Sequence, residues 1–99
     1  MTIPEIVDRI AIIRMRANLS ARALSLTIGK NASYINLLES KKDFEPSLSA
    51  LLDIIEVCGS TPEEFFYSDL HQYQEDKDCF QFLRTLSKKQ KDAIMNLYK

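Results

Sequence analysis

Few side chains in this 99-residue chain are spaced for catalysis or for metal binding. His71 is the single histidine, and Cys58 and Cys79 are 21 positions apart with no CxxC pair. A zinc site needs several His or Cys ligands at short spacings, and a catalytic nucleophile needs an activating neighbour such as a base. The sequence therefore predicts a protein that is not an enzyme and has no metal or cofactor. Both cysteines are expected to be buried or half-buried free thiols.

The charged residues are segregated along the chain, although its net charge is only −1. Residues 1–42 sum to +4, residues 43–76 hold nine acidic and no basic residues, and residues 77–99 sum to +4. A protein with this pattern can present a basic surface to phosphate groups while an acidic surface repels them elsewhere. The pattern is compatible with a nucleic-acid partner. Ordinary solvated charge remains an alternative explanation for the last segment.

The strongest pattern is a twenty-residue window that begins at Ala21. Two short helices that cross steeply need apolar residues at its positions four, eight, fifteen and eighteen, a small residue at five and a glycine at nine. The window supplies Leu24, Ile28, Ile35, Leu38, Ser25 and Gly29 at those positions, in that order. The spacing therefore predicts a helix-turn-helix over residues 21–40, with Gly29 in the left-handed conformation that ends a helix.

The segment before this window has the apolar spacing of one amphipathic helix. Ile6, Ile10 and Ile13 follow one another at intervals of four and three, which places them on one helix face. A first helix is therefore predicted from about Pro4 to Ala17.

Capping residues mark the starts of the next helices. Ser20 is expected to cap the second helix, and Asn31 is expected to cap the third, over about residues 31–40. Ser47, after a proline, is expected to begin a fourth and strongly apolar helix that ends at Gly59. Its apolar residues are Leu48, Leu51, Leu52, Ile55, Val57 and Cys58.

The rest of the chain is also helical in pattern. Thr61 and Pro62 predict the start of a short fifth helix, and Ser87 with Gln90 forms a capping box before the last helical segment. No segment shows the alternation of a strand, no apolar run is long enough to span a bilayer, and the N-terminus lacks the layout of a signal peptide. An all-α protein that stays in the cytoplasm is therefore expected.

Taken together, several segments resemble the phage-repressor (Cro/Xre) type of helix-turn-helix protein with the lambda-repressor-like fold. The similarity covers about residues 6 to 67. It rests on Leu19-Ser20, Ser33-Tyr34-Ile35, Leu38-Glu39, Pro46-Ser47-Leu48, Gly59 and Thr61-Pro62-Glu63-Glu64-Phe65-Phe66. The resemblance implies an all-α architecture, with a five-helix DNA-binding domain over residues 1–69 and two further helices over residues 70–99.

The resemblance also implies two sets of DNA contacts, because the second helix of the motif enters the major groove while the first lies across the backbone. The residues expected at base edges are Ala32, Ser33, Asn36 and Leu37. The residues expected at phosphates are Ser20, with the N-terminus of its helix, Lys30, Asn31, Tyr34, Lys41 and Lys42.

Two features depart from the family pattern. Ala21 stands where the family often has a glutamine that grips phosphate, and the third helix contains no Arg or Gln. Ala32 and Leu37 can offer only apolar contact, for instance to a thymine methyl group, which leaves Ser33 and Asn36 as hydrogen-bonding readers. Sequence readout is therefore expected to be modest or to depend on DNA shape.

Arg14 and Glu39 occupy positions that pair across the first and third helices in this family. A glutamate near a helix C-terminus faces an unfavourable dipole, so a compensating cation is expected nearby. We expect a partly buried structural ion pair that fixes the recognition helix. The alternative is that both side chains are solvated.

The terminal helices carry more apolar side chains than two helices can easily bury alone. These side chains are Phe80, Phe82, Leu83, Leu86, Ile94, Met95, Leu97 and Tyr98. The helices either complete the core of their own chain or form a symmetric dimer interface. We favour the dimer, because this motif commonly reads two half-sites about 34 Å apart, one turn of DNA.

Together with the resemblance, these features predict a DNA-binding transcriptional regulator, a repressor or an activator, that inserts helix three into the major groove of an operator as a homodimer. The alternative is an adaptor or antagonist of the same fold that binds another protein and has weak or no DNA binding. Double-stranded DNA is the expected partner and a regulatory protein a further one. No membrane and no small-molecule ligand is indicated.

Overall fold

The computed structural model describes residues 1–40 and 44–97. Within those ranges the chain forms seven α-helices and no β-strand, which confirms the predicted all-α class. The helices are α1 (Ile3–Arg16), α2 (Ala21–Thr27), α3 (Tyr34–Ser40), α4 (Leu48–Val57), α5 (Pro62–Phe65), α6 (Tyr73–Arg84) and α7 (Lys88–Leu97). They fall into two compact units, Met1–Phe66 with α1 to α5 and Tyr67–Lys99 with α6 and α7. None of the described helices has the length and apolarity needed to cross a membrane.

Helix starts and stops in the first unit follow local backbone chemistry. The hydroxyls of Ser20, Ser47 and Thr61 each accept a hydrogen bond from the backbone N–H three residues further on, at 3.0, 3.2 and 3.2 Å. Gly29 and Gly59 follow α2 and α4 with φ of +76° and +74°, in the left-handed region that glycine adopts without steric cost. The predicted caps of α2, α4 and α5 and the predicted turn at Gly29 are therefore confirmed.

The third helix begins later than predicted. The Oδ1 atom of Asn31 accepts a hydrogen bond from the N–H of Ser33 at 2.9 Å, and the N–H of Tyr34 donates to the carbonyl oxygen of Asn31 at 3.0 Å. An Asn side chain bonded to the backbone two residues further on stabilises a turn in competition with a helix. The prediction that Asn31 caps α3 is therefore wrong, and Ala32 and Ser33 lie in the turn before it.

The core of the first unit takes buried apolar side chains from all five of its helices. They are Val7, Ile10, Ile13, Leu24, Ile35, Leu38, Ala50, Leu51, Ile54, Ile55 and Phe65. The buried face of α4 differs in part from the predicted apolar set, because Leu48, Leu52 and Val57 are exposed and Ile54 is buried. The buried residues of α4 lie on one side of the helix, Leu52 is rotated away from that side, and Leu48 is the first residue of the helix.

The second unit leaves four large apolar side chains exposed in its described part. Phe80, Phe82, Met95 and Leu97 are between 61% and 79% exposed, and α7 has no buried residue in its described range. Cys79, on α6, is exposed as well. The expectation of a buried or half-buried thiol is therefore wrong for Cys79 and is confirmed for the half-buried Cys58.

Local contacts nevertheless define the second unit. The predicted capping box at the start of α7 is complete: the N–H of Ser87 donates to Oε1 of Gln90 at 2.9 Å, and the N–H of Gln90 donates to the Ser87 hydroxyl at 3.2 Å. The Tyr67 hydroxyl donates to the Asp76 carboxylate, and this hydrogen bond raises the pKa of Tyr67. The ring of Tyr67 packs edge-on against Tyr73, with centroids 5.3 Å apart.

Candidate nucleic-acid interface

A buried hydroxyl joins the two helices of the motif. Ser25 of α2 is fully buried, and its Oγ donates to the carbonyl oxygen of Ala21 at 2.8 Å and accepts from the N–H of Ile35 at 2.9 Å. That N–H lies in the first turn of α3, where a helix cannot satisfy its own donors. Ser25 therefore caps α3 from the neighbouring helix. The sequence pattern required only a small residue at this position, so the role of the hydroxyl was not predicted.

Arg14 of α1 contacts both ends of the motif. Its Nε and Nη2 donate to the two carboxylate oxygens of Glu39 at 2.9 and 3.2 Å, and its Nη1 donates to the carbonyl oxygen of Leu19 at 2.9 Å. Each of the two paired side chains is 17% exposed. A bidentate pair of this kind fixes direction as well as distance. One side chain of α1 thus sets the position of the end of α3 and of the residue that precedes Ser20.

An open depression of about 410 Å³ lies where α2 meets the turn and the first part of α3. Its lining residues are Ala21, Arg22, Asn31, Ala32, Ser33 and Asn36. Four of them belong to the contact set that the resemblance implies, and the structure brings these four together around one concave surface. The surface is formed by the two elements that approach DNA in helix-turn-helix complexes.

Asn31, Ser33 and Asn36 line this depression, and they differ in which hydrogen-bond donors and acceptors remain free for a ligand. The Oδ1 atom of Asn31 is occupied by the N–H and the hydroxyl of Ser33, at 2.9 and 2.8 Å. Because a backbone N–H can only donate, the free end of the Asn31 side chain is its NH₂ group, a donor. The Ser33 hydroxyl donates its hydrogen to Asn31, so its oxygen can still accept a hydrogen bond. Asn36 is exposed and its carboxamide has no partner in the described part of the chain, so it offers both a donor and an acceptor.

Arg22 is a lining residue that the contact residues predicted from the sequence did not include. It lies in the first turn of α2, is exposed, and makes no hydrogen bond or ion pair with any residue that the structure describes. A guanidinium in this position is suited to a phosphate oxygen, to which it can donate two parallel hydrogen bonds. Its place as the second residue of the twenty-residue window was the signal that could have identified it.

Tyr34 lies between two neighbours at the start of α3. The ammonium nitrogen of Lys30 is 5.5 Å from the centre of its ring, and the Phe44 ring packs edge-on against it at 5.8 Å between centroids. Burial raises the pKa of Tyr34, so the hydroxyl remains neutral and can donate to an anion. The cation–π contact holds the exposed Lys30 ammonium close to the turn of the motif.

The remaining predicted contact residues are not all described. Leu37 is 41% exposed on α3, and Ser20 is exposed at the start of α2, with its oxygen engaged as a cap and its hydroxyl hydrogen available to donate. Lys41 and Lys42 lie outside the described residues.

A second cavity, of about 210 Å³, lies in the first unit away from the motif. Its lining includes Arg16, Cys58 and Glu64, and an Nη2 of Arg16 is 3.4 Å from Oε2 of Glu64. Burial raises the pKa of the Cys58 thiol, and the positive charge of Arg14 partly offsets that effect. A buried, protonated thiol is a weak nucleophile. Among the residues that the structure describes, no cluster of His, Cys, Asp or Glu could hold a metal ion.

The helix-turn-helix family model matches residues 10–65, more than half of the chain. Comparison with curated proteins and with solved structures gave no match. The matched range begins within α1, ends with α5, and contains both the ion pair of Arg14 with Glu39 and the depression between α2 and α3. The chain therefore belongs to the helix-turn-helix family of the phage-repressor (Cro/Xre) type, which is a family of DNA-binding domains.

Proposed function

We propose that this chain is a transcriptional regulator that binds an operator as a homodimer, inserts α3 into the major groove, and thereby blocks or recruits polymerase. The observation that carries the proposal is the depression between α2 and α3, where Arg22, Asn31 and Asn36 present donors that the described part of the protein leaves unused. We also propose that the protein binds this operator in the cytoplasm.

The available chemistry of each side chain divides the contacts into two groups. Cations and pure donors suit phosphate oxygens, and they set the position of the domain without reading sequence. This group comprises Arg22 and the predicted Ser20, Lys30, Asn31, Tyr34, Lys41 and Lys42. The residues proposed at base edges are Ala32, Ser33, Asn36 and Leu37.

Salt-dependent DNA binding tests this proposal. Binding to a labelled duplex of mixed sequence, about 30 base pairs long, is measured by fluorescence anisotropy at increasing salt. Each phosphate contact contributes a slope of about −0.9 to log K against log[salt]. The double variant Arg22→Ala, Lys30→Ala is therefore expected to reduce the slope by about 2 per domain.

The control is Arg16→Ala, which removes a cation of the first unit that pairs with Glu64 away from the motif, and it is expected to leave the slope unchanged. A protein that shows no salt-sensitive binding at low ionic strength is not a DNA-binding regulator. That result would favour an adaptor or antagonist that binds another protein.

The proposed homodimer is formed by the extension over residues 70–99. Two observations support it. Phe80 on α6 and Leu97 on α7 are 64% and 79% exposed, and the charged residues of α6 and α7 are complementary. The first turn of α6 is acidic, with Glu75 and Asp76, whereas the first half of α7 is basic. A two-fold assembly buries the same surface on both copies, so complementary charges on one chain can pair twice across the axis.

Sedimentation of the full chain tests the dimer. The double variant Phe80→Ser, Leu97→Ser is expected to shift the protein from dimer to monomer, because it removes two large apolar side chains from the proposed interface. The control is Leu48→Ser on α4, which removes an apolar side chain that is 70% exposed in the first unit and is expected to leave the dimer intact. If the double variant sediments as the wild-type protein does, the dimer interface lies on another surface.

A further inference from the structure

We propose that the operator half-site is rich in A·T pairs, with one adenine recognised by Asn36 and neighbouring thymine methyl groups contacted by Ala32 and Leu37. This inference rests on the proposed function, since it names the base pairs that the α2–α3 surface reads. Three observations carry it: the carboxamide of Asn36, which has no partner in the described part of the chain, the apolar residues before and after it in sequence, and the engaged side-chain oxygen of Asn31.

The pattern of hydrogen-bonding groups on each base decides which side chain can read it. Guanine presents two acceptors in the major groove, O6 and N7, and is matched by two donors on one Arg or Lys. The stretch 31–40 contains neither residue. Adenine presents the N7 acceptor beside the N6 donor, which a carboxamide matches with its NH₂ group and its oxygen. Asn36 retains both, whereas the oxygen of Asn31 is held by Ser33.

The apolar residues of the same surface point to the same base pair. Ala32 lines the depression and Leu37 is 41% exposed directly after Asn36. The C5-methyl group of thymine is the apolar feature of the major groove, and a methyl or isobutyl side chain gains by covering it. An A·T pair carries the adenine edge and this methyl group together, so the polar and apolar residues favour one class of pair.

Arg22 is the competing reader, because its guanidinium could recognise guanine. It belongs to α2, the helix that lies across the backbone in helix-turn-helix docking, so its expected partner is a phosphate. A phosphate contact weakens binding to every sequence equally when it is removed, whereas a guanine contact is lost from G·C sites alone. This difference separates the two roles of Arg22.

Binding to three duplexes of about 20 base pairs, two turns of DNA, tests the inference. The first contains A·T pairs in mixed order, the second has uracil in place of every thymine, and the third has 7-deazaadenine in place of every adenine. Uracil lacks the methyl group, and 7-deazaadenine lacks the N7 acceptor. Wild-type protein is expected to bind the second and third duplexes at least about 5-fold more weakly than the first.

The variants assign these losses to residues. Asn36→Ala is expected to bind the first duplex about 5-fold more weakly and to lose its discrimination against 7-deazaadenine, while retaining discrimination against uracil. Leu37→Ala is expected to keep its discrimination against 7-deazaadenine and to lose part of its discrimination against uracil, because Ala32 still contacts a thymine methyl group. Arg22→Ala is the control and is expected to weaken binding to all three duplexes, and to a G·C duplex, by the same factor.

The outcomes separate this inference from the proposed function. Salt-sensitive binding that is equal for all duplexes would overturn the A·T half-site and leave DNA binding intact. Binding that favours the G·C duplex would do the same, and loss of that preference in Arg22→Ala would assign the guanine contact to Arg22. Absence of binding to every duplex at low salt would overturn both.

Discussion

The two compact units of the chain are both helical, but they bury apolar side chains to very different extents. The first unit buries eleven apolar residues and ties α1 to the motif through Arg14. Within its described part, the second unit buries Leu70 and Tyr73, and the other large apolar side chains there are half-buried or exposed. The fold of the first unit is thus specified by its own core. Within the second unit, a capping box defines the start of α7, and the exposed apolar side chains are those of the proposed dimer interface.

The largest expected difference between the units comes from truncating one phenylalanine in each. Phe65→Ala removes a fully buried ring and is expected to lower the free energy of unfolding by about 3–5 kcal/mol, through lost burial and the cavity that remains. Phe80→Ala removes a ring that is 64% exposed and is expected to cost less than about 0.5 kcal/mol. Denaturant titration of both variants, at concentrations where the chain is monomeric, makes the comparison. Equal losses would contradict it.

The ion pair of Arg14 with Glu39 is expected to have the next largest effect. Glu39→Gln keeps the shape and one acceptor but leaves a mostly buried guanidinium without its carboxylate, and is expected to lower the free energy of unfolding by about 2 kcal/mol. The matched control is Glu64→Gln, because Glu64 is as covered as Glu39 but pairs with the half-exposed Arg16 through one contact at 3.4 Å, and an amide oxygen can still accept from the Ser60 hydroxyl. That change is expected to cost less than about 1 kcal/mol. If Glu39→Gln leaves the free energy of unfolding unchanged, the ion pair of Arg14 with Glu39 does not stabilise the fold.

A smaller effect is expected at Ser25. Ser25→Ala leaves the Ile35 N–H without its acceptor, a cost of about 1–3 kcal/mol, while the better helix propensity of alanine returns about 0.5 kcal/mol. A net loss of about 1 kcal/mol is therefore expected in thermal or chemical unfolding. Ser49→Ala on the exposed side of α4 is the control, with an expected change within about 0.5 kcal/mol. A loss no larger than that of the control would show that the hydroxyl does not cap α3.

Each unit contains one cysteine, so the alkylation rates of Cys58 and Cys79 compare the two units in the wild-type protein. Burial raises the pKa of Cys58, so at neutral pH less of it is thiolate, and the side chain is also half-covered. Cys79 is exposed on α6. Alkylation followed by mass spectrometry is expected to modify Cys79 at least about tenfold faster. Similar alkylation rates for the two thiols would show that the residues packed over Cys58 move away readily.

Those parts of the molecule that depend on local chemistry were predictable from the sequence. Ser20, Thr61 and Gly29 act through bonds to residues three or four positions away, so their type and spacing are sufficient evidence. The pairing of Arg14 with Glu39 was accessible through family position together with the helix dipole. Each of these inferences required knowledge of only one helix end or one pair.

The parts that depend on three-dimensional competition were not predictable. Asn31 could cap a helix or form a turn, and the turn formed because Ser33 donates both its N–H and its hydroxyl to Asn31 Oδ1. The cap that Ser25 provides depends on how α2 and α3 cross, which sequence spacing does not specify. Arg22 becomes a lining residue through that same crossing. The exposure of Cys79 depends on what packs against α6, which an apolar pattern does not specify.

Selection of bound sites from a pool of random duplexes tests most directly whether the α2–α3 surface reads DNA. The wild-type chain is expected to enrich two-fold symmetric sites whose half-site centres are about 10 base pairs apart. Asn36→Ala is expected to enrich them less strongly and with altered bases in each half-site. A bound pool whose sequences match the starting pool, for wild-type protein at low salt, would contradict the proposal that this surface recognises an operator.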